Sequence, residues 1–189
     1  MLALSRKPAS EDPGVTPVAV DAQDAAAVRE ALAGSAAEAV VLAVRTYPAD
    51  EVFLVGATRT VLDAAAGLGI RVLVVGGAGA LRSPADRELP VAENPAYVPP
   101  EYRAVAAAGV AQLHACRAHA GADWVYLSPP ALLQPGDRSG RYRRGTDTLL
   151  VDADGRSYVS AEDLAVAILD ELENPGPERH FTVAEAPPA

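Results

Sequence analysis

The chain has one cysteine, Cys116, in 189 residues. An internal disulfide is therefore excluded, and the usage fits a reducing, cytoplasmic compartment. No apolar run approaches the roughly 18 residues that a membrane-spanning helix requires. Met1-Leu-Ala-Leu4 is also too short for the apolar core of a secretory leader. Positive charge is scarce, with 16 Lys and Arg against 25 Asp and Glu and a net charge of −9. That balance argues against general nucleic-acid binding and against an anionic membrane surface, and leaves a small molecule as the expected partner. No metal site is expected. His114 and His119 are five apart on a helix and so face differently, and His180 is remote from both.

What the chain does have is a centre. In Arg71-Val-Leu-Val-Val-Gly-Gly-Ala-Gly-Ala-Leu81 the run Val72 to Val75 lacks the alternation of a half-exposed strand and the length of a helix, so it reads as a strand covered on both faces. It ends in Gly76 and Gly77. Two readings stand for that pair: close approach of a ligand or another backbone, or a tight turn using positive φ. In a parallel α/β sheet, ligands sit outside the carboxyl ends of the strands, so the functional crevice is expected over Gly76 to Leu81.

Around this centre, strands and helices alternate. Strands are expected at Leu2–Leu4, Val15–Val20 with Pro17 at an edge, Ala39–Val44, Asp123–Ser128 and Phe181–Val183. Helices are expected from an Asp21 cap to Leu32, over 49–68 with a stripe of Leu54, Thr58, Val61, Leu62 and Ala65, and over 101–120 with a stripe of Tyr102, Ala106, Gly109, Leu113 and Cys116. A last helix starts at a capping-box-like Ser160 and runs to Pro175. Ser83 to Pro100, with five prolines, reads as an irregular excursion over the strand ends, and Arg141–Arg144 with Thr148–Val151 as a hairpin. The pattern implies one α/β domain with a mainly parallel sheet and helices on both faces.

Four stretches in order, Val74-Val-Gly-Gly-Ala-Gly-Ala-Leu81, Pro100-Glu-Tyr-Arg103, Asp123-Trp-Val-Tyr-Leu-Ser-Pro-Pro-Ala-Leu132 and Ser160-Ala-Glu-Asp-Leu-Ala165, resemble the atypical short-chain dehydrogenase/reductases. More narrowly, they resemble the NAD(P)H-binding group described as NADH-flavin reductase-like. The resemblance implies a Rossmann-like, doubly wound fold. Members of that family begin with a strand and a G-x-x-G-x-x-G turn whose backbone N–H groups hold the cofactor pyrophosphate. Against that pattern this chain starts at the second strand. The expectation is an N-terminally truncated single domain over 1–189, with Met1 a misplaced start and roughly 25 to 30 further residues upstream, a βαβ remainder with a glycine-rich turn. The alternative is a real deletion, with Leu2–Leu4 pairing directly with Val40–Val44. Val55-Gly-Ala-Thr-Arg59 and Gly77-Ala-Gly79 mimic parts of the lost turn, but Arg59, Arg82 and Pro84 break the pattern.

The resemblance carries the cofactor site over position by position. Ser5, Arg6 and Lys7 follow the strand where a basic residue accommodates the 2′-phosphate of NADP, so NADP is favoured over NAD. Read without the family, the same three are a solvated basic turn. Asp21 and Ala22 match the adenine contact, and Ala43, Val44 and Arg45 the strand end beside the adenosine. Gly76 and Gly77 match the crevice floor, and Pro129, Pro130, Ala131 and Leu132 the nicotinamide end. The family's usual catalytic tyrosine has a lysine four residues on, which lowers the phenol pKa. Here Tyr102 is followed at that spacing by Ala106, so Tyr102 is either a proton donor without that support or a packing residue at a helix start.

The function implied is NAD(P)H-dependent reduction of a small flavin-, quinone- or aromatic carbonyl-like acceptor, whose own electronics carry much of the chemistry. The second reading is a non-catalytic dinucleotide-sensing or degenerate protein. A monomer or homodimer is expected. Cys116 falls in an apolar stripe and reads as core. Arg138, Arg141, Arg143 and Arg144 form the one basic cluster, either a solvated hairpin or a site for a substrate phosphate or carboxylate.

Overall fold

The structure, a computed structural model, describes residues 1–187. In chain order the regular elements are β1 (Leu2–Ser5), β2 (Thr16–Ala19), α1 (Ala25–Ala33), β3 (Ala39–Leu42), α2 (Glu51–Ala66), β4 (Arg71–Val75), α3 (Arg103–Ala118), β5 (Trp124–Ser128), β6 (Leu132–Gln134), β7 (Tyr142–Gly145), β8 (Tyr158–Ser160), α4 (Ala161–Glu173) and β9 (His180–Glu185). The continuous apolar runs become the middle of a sheet ordered β3-β4-β5-β9-β7, parallel throughout except that β7 runs against β9. The fold is thus the expected Rossmann-like α/β arrangement with a mainly parallel sheet.

Alternation along these strands sorts two cores onto opposite faces of the sheet. Val72, Val74, Trp124 and Tyr126 point to one face, where they meet Val61, Leu62 and Ala65 of α2 and Leu113 and Cys116 of α3. Leu73, Val125, Leu127, Phe181 and Val183 point to the other and meet Leu164 and Ala167 of α4. Leu62, Leu73, Leu127 and Phe181 are wholly buried, each contributing about 1.5–3 kcal/mol over an exposed position.

The caps refine the expected boundaries. Asp24 rather than Asp21 caps α1, its carboxylate accepting from Ala26 N and Ala27 N, while Asp21 accepts from Gln23 N in the preceding turn. Asp50 caps α2 and Ser160 caps α4 by accepting from Asp163 N. The Asp163 side chain does not complete a capping box. It turns away to accept from Ser139 Oγ and Gly140 N, tying the 139–140 turn to the helix start.

Two expectations are corrected. Arg141–Arg144 does not form a hairpin with Thr148–Val151: β7 pairs with β9, while Thr148 bridges Arg82 and Leu149 is buried against Leu81 and Val91. The apolar residues of 148–151 are needed in that third small core, under the proline-rich excursion, and so are not free to pair with β7. β5 stops at Ser128, before Pro129 and Pro130, and the short strand β6, which the sequence reading did not expect, follows and pairs with β8. At the other end, β1 pairs with β2 in parallel and not with β3, so Leu2–Leu4 does not move across to Val40–Val44. Pro17 sits in this two-stranded ribbon, where its missing N–H is tolerated.

Candidate functional site

The carboxyl ends of β4 and β5 lie side by side. Val75 stands opposite Leu127, and Gly76 N donates to Leu127 O at 2.9 Å. Continuing that register puts Gly76 and Gly77 beside Ser128 and Pro129, so the first part of the expected nicotinamide segment reaches the crevice. Pro129 and Pro130 are buried, Ala131 is half-buried and Leu132 is 44% exposed. Ser5, Arg6 and Lys7 are exposed at the end of β1, and Arg6 lies over the Phe53 ring of α2 at 5.7 Å. That contact brings the end of β1 to the helix that follows β3. Asp21 and Ala22 are half-buried after β2. Ala43 and Arg45 are exposed and Val44 half-buried after β3. Apart from Ser5, the last residue of β1, and Leu132, the first of β6, the expected cofactor residues follow the carboxyl ends of their strands.

Neither Gly76 nor Gly77 has a positive φ, which removes the turn reading. Their roles differ. A Cβ on Gly76 would stand 1.8 Å from Tyr126 Oη, whereas one on Gly77 would meet nothing within 4 Å. Gly76 is glycine because a tyrosine lies beneath it, and Gly77 borders open space. Next along, Gly79 is pressed on α3, its absent Cβ lying 2.8 Å from Ala106 O.

Sequence reasoning missed the polar chain under this floor. Tyr126 Oη donates to Gly109 O at 2.9 Å and meets Gln112 Oε1 at 3.3 Å, and Gln112 Nε2 donates to Thr58 Oγ1 at 3.1 Å. Thr58 Oγ1 in turn donates to Leu54 O at 2.8 Å. Burial pushes the Tyr126 phenol far above its ordinary range, so it stays protonated and keeps donating. The signal lay in β5 itself, where Tyr126 and Ser128 share a face and bring polar tips to a buried strand. Cys116, also in this core, has its thiol pushed up to about 12 by burial, which keeps it an inert apolar filler.

Tyr102 is 58% exposed and is not the packing residue that its place in the stripe suggested. It lies in a single 3-10 turn ahead of α3, one turn before the buried Ala106. Ala106 abuts Gly79, so a lysine at that position has no room, and no cation is held four residues from the phenol.

A second, part-buried pair was also missed. His180 Nε2 and Ser128 Oγ are 2.9 Å apart, Ser128 is wholly buried, and His180 Nδ1 is buried without a partner. Burial, with a smaller contribution from the Arg117 charge, lowers the His180 pKa to about 4, and Asp147 opposes it weakly. The imidazole is therefore neutral at pH 7. An unfolded histidine takes up its proton near pH 6.5 and the folded one only near 4, so stability should fall as the pH drops through that window and then level off. The loss has an upper bound of roughly 3 kcal/mol, reduced by partial exposure. Urea unfolding of wild type and His180→Asn between pH 7 and 4 measures it. A pH slope equal in both proteins would refute the assignment.

The comparisons with known proteins agree with this geometry. A profile described as NAD(P)H-binding matches residues 2–175. The chain belongs to the NAD(P)H-binding family. Among relatives, the uncharacterized protein YwnB of Bacillus subtilis strain 168 is 40% identical over 119 residues, 61% of this chain and 55% of YwnB, so the match spans about half of that protein's length. A crystal structure from Burkholderia pseudomallei, provisionally named an exported protein, is 34% identical with a TM-score of 0.84, covering 97% of this chain and 86% of its own. One from Streptococcus pneumoniae, provisionally named an NADH-flavin reductase, is 23% identical with a TM-score of 0.83, covering 98% of this chain and 87% of its own. At that identity it speaks for the fold. No helix among the described residues is long and apolar enough to cross a membrane.

The residues fit a dinucleotide of this family at its two ends. Open space at Gly77 beside Pro129 leaves room for a flat ring, and Arg6 and Lys7 are exposed after β1. The middle of the cofactor finds no cradle among the described residues: the four α-helices start after Asp24, Asp50, Tyr102 and Ser160, none of them on a glycine-rich turn.

Proposed function

We propose that the protein is an NADPH-linked reductase of a small flavin- or quinone-like acceptor, acting inside the cell as a monomer or homodimer. The observation that carries this reading is the open floor at Gly77, with Pro129 beside it and no tyrosine–lysine pair four residues apart. NADPH, when bound, supplies a hydride. The chain's own residues then have to hold two flat rings against each other: Gly77 leaves the space, and the buried prolines fix the wall without presenting N–H groups. An acceptor that stabilises its own reduced anion needs no strong acid beside it, which suits an exposed Tyr102 with Ala106 behind it. The provisional name of the S. pneumoniae structure points the same way.

NADP preference rests on Arg6 and Lys7. Arg6→Glu should cut NADPH affinity about tenfold and leave NADH little changed, read by calorimetric titration of each. Equal losses for both cofactors would refute it. Turnover of menadione or riboflavin with NADPH tests the reaction. The second reading, a protein that binds dinucleotide without turning anything over, is favoured by Ala106 standing where the tyrosine's lysine partner would be. Tight NADPH binding with no oxidation in the presence of any such acceptor would establish it.

A further inference from the structure

Strand alternation splits the basic cluster at β7. Arg144 points to the α4 face, stacks on Phe181 with its guanidinium carbon 3.8 Å from the ring centroid, and is held by Glu171 at 2.7 Å and Glu178 at 3.8 Å. Arg141 and Arg143 turn the other way. With Arg156 and Tyr158 they line a cavity of about 790 Å³ between the start of β7, the 151–158 turn and the end of β9. No carboxylate among the described residues lies within 4.0 Å of these three guanidinium groups.

The guanidiniums are nevertheless positioned. Arg143 Nε donates to Glu185 O and its Nη2 to Val151 O, each at 3.1 Å, and Arg141 Nη2 donates to Pro187 O at 3.1 Å. Arg156 stacks on Tyr158 with its guanidinium carbon 4.2 Å from the ring centroid. Each guanidinium has five N–H donors, so most remain free to face the cavity. Of the acids lining the same space, Asp152 Oδ1 is occupied by Asp154 N and Arg156 N, and Asp154 and Glu185 are exposed at the rim. The cavity adjoins the proposed acceptor site, because Tyr158 stands opposite Leu132 in the β6–β8 pair and Leu132 N donates to Ser157 O at 2.9 Å.

We propose that this cavity is a phosphate subsite, taking the tail of an acceptor of the flavin mononucleotide type whose ring lies over Gly77 and Leu132. The proposal rests on the reductase reading for the position of the ring. The subsite itself is built from this chain's own arginines. A chain with a net charge of −9 repels anions at long range, so a phosphate needs a local, pre-positioned set of donors such as this one.

Flavin mononucleotide and riboflavin share their ring and differ by the phosphate, so quenching of flavin fluorescence by the full chain separates tail from ring. Flavin mononucleotide should bind about tenfold more tightly than riboflavin, and Arg141→Gln/Arg156→Gln, both exposed positions, should abolish the difference without weakening riboflavin. Equal binding of the two flavins by wild type would overturn the subsite while leaving the reductase reading intact. Should neither flavin bind, the flavin reading has failed and inorganic pyrophosphate decides the subsite. A rise in Tm with wild type that is absent in the double variant supports it, and no rise overturns it.

Discussion

Gly76→Ala should destabilise the protein by about 3 kcal/mol or more, one methyl group having the effect of a major core lesion. The new Cβ would stand 1.8 Å from Tyr126 Oη, 1.9 Å from Cζ and 2.4 Å from Cε1. The ring has nowhere to go, because it is wholly buried and its hydroxyl is committed to Gly109 O. Removing the ring should therefore relieve the clash: in urea titrations Gly76→Ala/Tyr126→Leu should be no less stable than Tyr126→Leu alone, a coupling that a purely backbone effect would not show. Gly77→Ala is the control, since its Cβ meets nothing within 4 Å. It should leave Tm unchanged and act only on what binds in the crevice. Wild-type stability for Gly76→Ala would refute the account.

The second large effect lies at the amino end of β4. The Glu171 side chain is wholly buried and accepts from Arg71 Nη2 at 3.0 Å, Arg144 Nη1 at 2.7 Å and Gly176 N at 3.2 Å. One carboxylate thereby ties α4, β4, β7 and the turn before β9. Glu171→Ala should cost about 3–5 kcal/mol, because it strands two partly buried guanidinium groups as well as removing the bonds. Replacing Arg144 with Met in the same chain should recover part of the loss, by giving back one of the two desolvated charges. Binding over Gly77 by the folded fraction should be unchanged, since Glu171 is tied to Arg71 at the amino end of β4, opposite the crevice. An alanine variant within about 0.5 kcal/mol of wild type would show that the cluster is not a structural tie.

The central strands were legible because burial on both faces writes itself as an unbroken apolar run, as in Val72–Val75, and because Gly76 and Pro129 mark where the runs stop. The short strands β6 and β8 were not. Leu132–Gln134 is exposed along its length and pairs with a segment 26 residues away, so neither periodicity nor composition announces it. The Tyr126–Gln112–Thr58 chain and the Ser128–His180 pair were hidden for a different reason. Their members are 14 to 54 residues apart and meet only once helices and strands have packed. Tyr102 shows the converse error: its spacing fits the stripe of α3, yet the 3-10 turn ahead of the helix rotates it out to solvent.

Apolar helix faces can slide past each other by a residue at small cost, since one leucine is much like the next. Helices α2 and α3 cannot. Thr58 on the first and Gln112 on the second meet in a single register, and a shift in either direction would leave a buried amide and a buried hydroxyl facing hydrocarbon. Because the same amide reaches Tyr126, the phenol under Gly76 has one height and one orientation. The floor on which a flat ring would rest is thus set to a fixed level by three hydrogen-bonding side chains, and any ligand that needs it lower must first unbutton two helices.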